Sequence, residues 1–264
     1  MSITIAGLGV KNADHFTIET ISRLKESKKV YILGPPSEAV KSKLSEYGIL
    51  NYKHILHLYH DETKDQINYK RIYNFLLEER EKEGSISLLI PGHPSVGVSL
   101  TQMLKSSEGK NIDRVDILPG ISSFDTMIAD LAVDPLEKGS LIVDSNRLLL
   151  LDIQLDPNLD TYIYHPSAVG SSKIHLQEKK YNRLDQLQEH LERFYKSNHS
   201  IYLLHSSTSS HIETERIEIK LNELNYFKDF IHIGMTAFIP AQQLDMSSVN
   251  TEYLKQLMDI DGHN

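Results

Sequence analysis

The segment SISLLIPGHPSVGVSLTQMLK, Ser85–Lys105, decides how this chain is read. Its apolar run, Ser85–Ile90, is short enough for a buried strand. Pro91, Gly92 and Pro94 then force a rigid, irregular turn. From about Val98 to Lys105 the apolar spacing becomes helical. The same unit recurs on both sides. SITIAGLG (Ser2–Gly9) is a strand ending in glycines, followed by a helix over Thr17–Ser27. KVYILG (Lys29–Gly34) is stopped by Pro35 and Pro36 and leads to a helix over Ser37–Tyr47, with Ser37 as candidate N-cap. HILHLY (His54–Tyr59) precedes an amphipathic helix over Ile67–Glu83. RVDIL (Arg114–Leu118) precedes a helix over Ser123–Leu131 through the turn LPGISS. Strands alternating with helices predict an open, mostly parallel α/β sheet, and such sheets bind ligands beyond the C-terminal ends of their strands.

The second half follows another pattern. Strand candidates are Thr161–His165, Ser200–His205, Glu215–Leu221 and Ile231–Ile239, with helices near Asn182–Lys196 and Leu221–Asp229. DP, EKGS and DPN clusters between Asp134 and Pro157 mark the boundary. The expected organisation is an N-terminal α/β domain over 1–135, a linker over 136–157, a C-terminal domain with a mixed sheet and helices over 158–245, and a helical tail over 246–264. Ser247–Met258 carries helical apolar spacing through Val249, Tyr253 and Leu257, suited to packing on a partner subunit or on its own core.

Composition removes whole classes of function. The chain has 264 residues, no cysteine and a formal net charge of −8. Disulfides, thiolate catalysis and cysteine-based metal sites are excluded. An acidic balance argues against sequence-independent nucleic-acid binding, which depends on Lys and Arg neutralising phosphates. No apolar run is long enough to span a bilayer, and MSITIAGLGV lacks the basic and cleavable features of a signal peptide. The expectation is a soluble cytoplasmic protein.

Each turn has a bland reading beside a functional one. Gly7–Gly9 lacks the third glycine of a dinucleotide fingerprint, where Asn12 stands, and no ribose-binding acid follows the second strand. A tight turn or a backbone wall against another ligand remains. Ser95 in GHPSVG has the wrong spacing for a nucleophile elbow. Ser122 in LPGISS is an ordinary N-cap or, with Ser123, part of a ligand-binding helix N-terminus. Tyr69 and Tyr73, at i and i+4, share a helix face, near Tyr59 and Arg71. Any one of the tyrosines can equally fill a core edge. His54, His57 and His60 on a strand would alternate faces and make a poor metal site. His205 and His211 flank a serine loop and read as surface. No metal is expected.

Taken together, GLG, GHP and PGISS after successive strands resemble the tetrapyrrole (corrin/porphyrin) methylase superfamily over nearly the whole chain. These are two-domain α/β enzymes that bind S-adenosylmethionine between the domains. Where that superfamily has a Gly-Asp-Pro turn, this chain has His93. PGHPSVGV (Pro91–Val98) with LPGISSFDTMIADLAVDP (Leu118–Pro135) is most similar to the borosin peptide-backbone α-N-methyltransferases. VDSNRLLL (Val143–Leu150) and TAFIPAQQL (Thr236–Leu244) are similar to further segments of that group.

The resemblance implies a methyltransferase that uses S-adenosylmethionine and releases S-adenosylhomocysteine, acting on peptide backbone amides. Tetrapyrrole C-methylation, and a binding module that has lost catalysis, are the alternatives. Implied cofactor contacts are Val10, Pro91, Gly92, His93, Val96, Val98, Ser122, Ser123, Tyr164, His165, Ala237 and Pro240. Implied catalytic positions fall on Tyr59, Tyr69, Arg71 and Tyr73. Of the group's pattern, Tyr59 and Tyr73 fit. Its arginine position falls on Tyr69, with Arg71 two residues on, and its tyrosine before GHP is Pro91. Fused members carry their substrate peptide at their own C-terminus. With the last residue at Asn264, the expectation is a precursor peptide acted on in trans, by a homodimer.

Overall fold

A computed structural model describes residues 2–176, 182–243, 247 and 249–261. Leu244, which ends the last segment of the resemblance, lies outside them, as does Ser248 in the tail. Two five-stranded sheets organise the chain. The first takes β1 (Ser2–Gly9), β2 (Lys29–Ile32), β3 (Tyr52–His54), β4 (Ile86–Pro91) and β5 (Arg114–Leu118) in the order β3-β2-β4-β1-β5. Every pairing is parallel.

Parallel strands need crossover helices, and these cover both faces. Ile3 and Ile5 of β1 point to one face. There they meet Ile72 and Leu76 of α3 (Asp65–Glu83) and Leu100 and Leu104 of α4 (Ser99–Lys105). Ala6 and Leu8 point to the other, against Leu24 of α1 (Ile18–Glu26) and Val40 and Leu44 of α2 (Glu38–Glu46). The period-two alternation of a strand delivers the two sets to opposite sides. Thr17 caps α1 by accepting from the Thr20 N–H at 3.0 Å, and Ser37 caps α2 by accepting from Val40 N–H at 3.5 Å.

The expected third strand, His54–Tyr59, is displaced. β3 ends at His54, and a 3-10 turn covers Leu56–Leu58. Tyr52–His54 pairs with Val30–Ile32, which exhausts the length of β2. Beyond it the N–H groups of Leu58 and Tyr59 turn back to Ile55 O and Leu56 O, both at 2.9 Å.

The second sheet is mixed, in the order β6-β7-β10-β8-β9. Its strands are β6 (Ser140–Asp144), β7 (Asp160–Tyr164), β8 (Ser200–His205), β9 (Glu215–Lys220) and β10 (Thr236–Ile239). Only β6 and β7 run parallel. β6 and α6 (Ser145–Leu150) occupy part of the stretch read as a linker over 136–157. The Gly and Pro punctuation there marks short connections around an edge strand. The strand expected over Ile231–Ile239 is cut to its last four residues, because Gly234 adopts φ +95°. The segment expected as a helix over Leu221–Asp229 is a 3-10 turn, Leu221–Phe227.

One face of this sheet packs on Leu148 of α6, on Leu184, Leu187 and Leu191 of α7 (Leu184–Leu191), and on Leu221 and Leu224. The other face joins the two halves. Tyr162, Leu204 and Phe238 pack with Met127, Phe124, Ile128 and Leu131 of α5 (Ser123–Leu131). The tail helix, α8 (Thr251–Asp261), exposes Tyr253, Leu254, Leu257 and Met258. Among the described residues no helix is long and apolar enough to cross a membrane.

Candidate active site

Three glycine turns meet where β1, β4 and β5 end. A Cβ on Gly7 would lie 2.4 Å from Gly92 O and 2.8 Å from the Gly120 Cα. A Cβ on Gly120 would lie 2.7 Å from the Gly7 Cα. Backbone therefore packs on backbone, with no room for a side chain. Gly9 and Gly92 exchange two hydrogen bonds, at 3.2 and 2.9 Å, and both have positive φ. Gly7 and Gly120 are thus packing positions. Gly92 differs from them: it lines a cavity, and a Cβ built on it meets nothing within 4 Å.

That cavity, of about 630 Å³, lies between the two sheets. Its size suits a nucleoside-sized ligand. Of the sequence-predicted residues, Val10, Tyr59, Tyr69, Pro91, Gly92, His93, Val96, Ser122, Ser123, Tyr164 and His165 line it. Arg71, Tyr73, Val98, Ala237 and Pro240 do not, and each has a physical reason.

α3 points its N-terminus at the cavity, and Tyr73 lies about 6 Å further along the axis than Tyr69. Its hydroxyl pairs with Ser107 Oγ at 2.7 Å instead. Burial pushes the Tyr73 phenol up, but bonds from Ser107 and Asn111 and the charge of Lys70 outweigh it and leave the phenol below its ordinary value. Arg71, two residues from Tyr69, faces another direction. It donates to Leu58 O at 2.7 Å and Asn68 Oδ1 at 2.9 Å, pinning the 3-10 turn before Tyr59. Val98 packs into the core between α3 and the first sheet. Ala237 sits on the strand face turned to the second core, and Pro240 is at the far end of β10 from Thr236, accepting from His199 Nε2 at 2.9 Å.

An aromatic–acid cluster lines the same cavity. Tyr59 donates to Asp65, the first residue of α3, and its ring lies 5.7 Å from that of Tyr69. Burial and the Asp65 carboxylate hold the Tyr59 phenol well above its ordinary value. Burial likewise pushes Tyr69 up to about 12. Both are neutral hydrogen-bonding groups at pH 7.

At α5, Ser122 is an N-cap in a full capping box: its Oγ accepts from Asp125 N–H at 3.3 Å, and its N–H donates to Asp125 Oδ2 at 2.7 Å. Ser123 donates to the Tyr164 hydroxyl at 3.2 Å, linking the halves. His165 holds a left-handed backbone, φ 56°, and its Nδ1 lies 2.9 Å from Asp144 Oδ2.

Several lining residues lay outside the sequence reading. Asp144 and Asn146 belong to β6 and α6, inside the presumed linker. Residues 171–175 line the cavity as well. Glu62 N–H donates to Ile174 O at 2.9 Å, and Ile174 N–H donates to Thr63 O at 3.1 Å. His205, read as surface, is half-buried and lines the cavity with Ser206 and Thr208. Burial and the neighbouring His232 lower its imidazole pKa. No local pattern announces these residues; the fold gathers them from distant loops. His54, His57 and His60 do not converge on a common point among the described residues.

Comparison with known proteins gives this geometry a context. The sequence model of the tetrapyrrole (corrin/porphyrin) methylases matches residues 2–215. A methyltransferase/ribosomally synthesized type I borosin cyclic peptide precursor of Cerrena unicolor is 29% identical over 203 residues, covering 76% of this chain and 48% of that protein. A type II counterpart from Phlebiopsis gigantea is 30% identical over 183 residues, covering 68% of this chain and 32% of that protein. The chain thus spans about half, or less, of the length of these relatives. Among solved structures, the methyltransferase CobJ superposes with a TM-score of 0.60 at 14% identity, covering 92% of this chain and 96% of CobJ. Uroporphyrin-III C-methyltransferase from Thermus thermophilus, complexed with S-adenosylhomocysteine, gives 0.62 at 15% identity, covering 91% and 97%.

Proposed function

The chain belongs to the tetrapyrrole (corrin/porphyrin) methylase family, and from that premise we propose that it transfers methyl groups from S-adenosylmethionine to backbone amide nitrogens of a separate precursor peptide. The observation that carries this reading is the Tyr59–Asp65–Tyr69 cluster lining one cavity with the open backbone of Gly92. The residues fit the cofactor. Gly92 leaves room where a side chain would intrude, and Gly9, Val10, His93, Ser123 and Tyr164 offer backbone and polar groups around it.

The acceptor class follows from charge and from the relatives. A tetrapyrrole carries several carboxylates and needs cations to hold them. Lys173 is the sole lysine or arginine among the lining residues described. The relatives at 29–30% identity are themselves named as peptide precursors.

Held by Gly92 and its neighbours in the cavity, S-adenosylmethionine would supply an electrophilic methyl group on a sulfonium, with a neutral thioether as its leaving group. An amide nitrogen is a poor nucleophile because its lone pair is delocalised into the carbonyl. In our reading the neutral Tyr69 hydroxyl donates to the amide oxygen and favours the imidate form. The Tyr59 oxygen accepts the N–H proton while passing its own to Asp65. Arg71 and Tyr73 hold the scaffold behind them. General acid–base help of this kind contributes about 10²–10⁴-fold.

Calorimetric titration with S-adenosylhomocysteine tests the cofactor site. Saturable one-to-one binding is expected, with a melting shift worth about 2.7 kcal/mol at a hundredfold excess over Kd. Mass spectrometry of added peptides, counting methylene increments, then tests the acceptor. Tyr59→Phe and Asp65→Asn are expected to lower turnover about 10²-fold or more with cofactor affinity kept, while Tyr73→Phe stays within about twofold of the parent, the scale of an interaction remote from the chemistry. Turnover that survives Tyr59→Phe and falls with Tyr73→Phe would overturn the assignment. Cofactor binding without any methylated peptide would favour the binding-module reading.

A further inference from the structure

At the rim of the cavity, three side chains form a cluster that the proposed chemistry does not use. His205 and Glu215 are directly opposed in the antiparallel pairing of β8 with β9, so their side chains share a face. His232, in the turn before β10, closes the group. The ligand atoms of all three lie within 4.8 Å of one another. The His205 and His232 rings are 4.6 Å apart, and His232 Nε2 is 3.8 Å from Glu215 Oε2.

The orientation of His232 is the telling detail. Its Nδ1 lies 2.8 Å from the carbonyl oxygen of Ile233, which can only accept. Nδ1 therefore carries a proton, and Nε2, the atom facing Glu215, is the nitrogen available to a metal ion. A metal-ligating histidine is held in the same way, with its second ring nitrogen donating to a carbonyl or carboxylate. Gly234, with φ 95°, brings the turn against the His205 ring, where a Cβ would lie 3.4 Å away.

The geometry points to a site for a divalent transition cation of the zinc class. Two imidazole nitrogens and one carboxylate oxygen are the donor set such ions take, with a fourth position left for water. With bonds near 2.1 Å, tetrahedral ligand atoms stand about 3.4 Å apart. Each side chain has to close by roughly 1 Å or less, and Glu215, on an exposed edge strand, is free to do so. His205 and residues 233–236 line the cofactor cavity, so an ion at this point ties β8, β9 and the turn before β10 into one rigid wall.

The test is titration of the full chain with Zn²⁺ alone against a chromophoric indicator, repeated with Co²⁺ for its visible ligand-field spectrum. One tight equivalent and a tetrahedral cobalt spectrum are expected. His232→Ala and Glu215→Gln are expected to weaken binding at least about tenfold, the minimum cost of disturbing such a site. His211→Ala, in the same surface region, is expected to leave it unchanged. Metal-free melting curves of the two variants are expected to match the parent, showing that they fold. Absence of a tight equivalent in the parent overturns the proposal, as does equal binding by the His232→Ala chain.

Discussion

The cavity has two walls built on different principles. On the first-sheet side the wall rests on a backbone junction behind Gly92, with the Tyr59–Asp65–Tyr69 cluster lining the cavity from the same half of the chain. Gly7, Gly92 and Gly120 touch main chain to main chain, and Gly9 and Gly92 hydrogen-bond across the junction. On the second-sheet side the wall is side chains: Asp144, Asn146, Tyr164, His165 and His205, with residues 171–175 lining the cavity as well. A backbone wall tolerates one residue type at each crowded point. A side-chain wall can exchange its members while the strands beneath stay put. On the proposed function, the first would carry the shape the cofactor needs, and the second would be where an acceptor is chosen.

Gly120→Ala is the largest expected effect. The new Cβ would meet Gly7 Cα at 2.7 Å and Gly92 O at 2.8 Å, and none of these is the far end of a flexible chain. Overpacking costs about 1–3 kcal/mol where side chains can give way. Here the strands would have to part, so a loss of about 3 kcal/mol or more is expected, with cofactor affinity lost alongside. Urea unfolding and calorimetry measure the two. A stable variant that still binds would mean that the glycine junction is not a constraint.

Gly92→Ala sharpens the same wall from the other side. No atom lies within 4 Å of the added Cβ, so only the left-handed backbone, φ 69°, opposes it, at about 1–2 kcal/mol. The folded chain survives. Cofactor affinity is expected to fall at least about tenfold, because the added methyl group enters the cavity that the proposed function assigns to the cofactor. A tenfold loss corresponds to about 1.4 kcal/mol. Unchanged affinity would separate Gly92 from the cofactor contact.

The contrast between walls also explains what the sequence could tell. The first half was legible because its turns obey local rules. Apolar runs end at Gly9, Pro91 and Leu118, and each crossover helix announces itself by its spacing. Ser122 was legible as an N-cap for the same reason. Tyr59 and Tyr69 were reachable through a motif, but Asp65 was not, since a carboxylate opening a helix reads as ordinary dipole compensation. Tyr73 lies away from the cavity because sequence spacing gives the face of a helix and not its depth, and Arg71, two residues from Tyr69, stands on another face. Of the second wall, Tyr164 and His165 were reached only through the resemblance, and the rest was not singled out. Asp144 and Asn146 hid within a stretch punctuated like a linker, and His205 read as a surface residue. Residues gathered from separate loops have no period to detect.

Asp144 tests the side-chain wall at moderate scale. It caps α6, accepting from Arg147 N–H at 3.0 Å, and it faces His165 Nδ1. Burial raises its carboxyl pKa, but the bonds from His165 and from the Arg147 and Asn146 amides outweigh that and hold it below its ordinary value. A depressed folded pKa adds stability above the unfolded value of about 3.9, and that stability is lost as pH falls through the folded value. Asp144→Ala is therefore expected to cost about 1 kcal/mol at pH 7, the usual worth of a cap. The gap to the parent is expected to narrow progressively in melts taken as pH falls below the unfolded value of about 3.9. A gap that persists there would assign the loss to packing around His165 instead of to charge.

The smallest effect concerns the seam between the walls. Tyr162 is fully buried with Phe124, Leu204 and Phe238, and its hydroxyl has no hydrogen-bond partner among the described residues. Burial pushes the phenol up to about 12. An unsatisfied buried hydroxyl keeps its full desolvation cost, about 1–3 kcal/mol, with nothing to offset it. Removing the oxygen leaves the ring contacts with Phe124, at 5.1 Å, and Phe238, at 4.8 Å, intact. Tyr162→Phe is thus expected to leave thermal stability unchanged or to raise it by up to about 1 kcal/mol. A lowered melting temperature would mean that the seam is held by a polar contact as well as by packing. The side-chain wall would then be fastened to the backbone wall more specifically than an apolar interface requires.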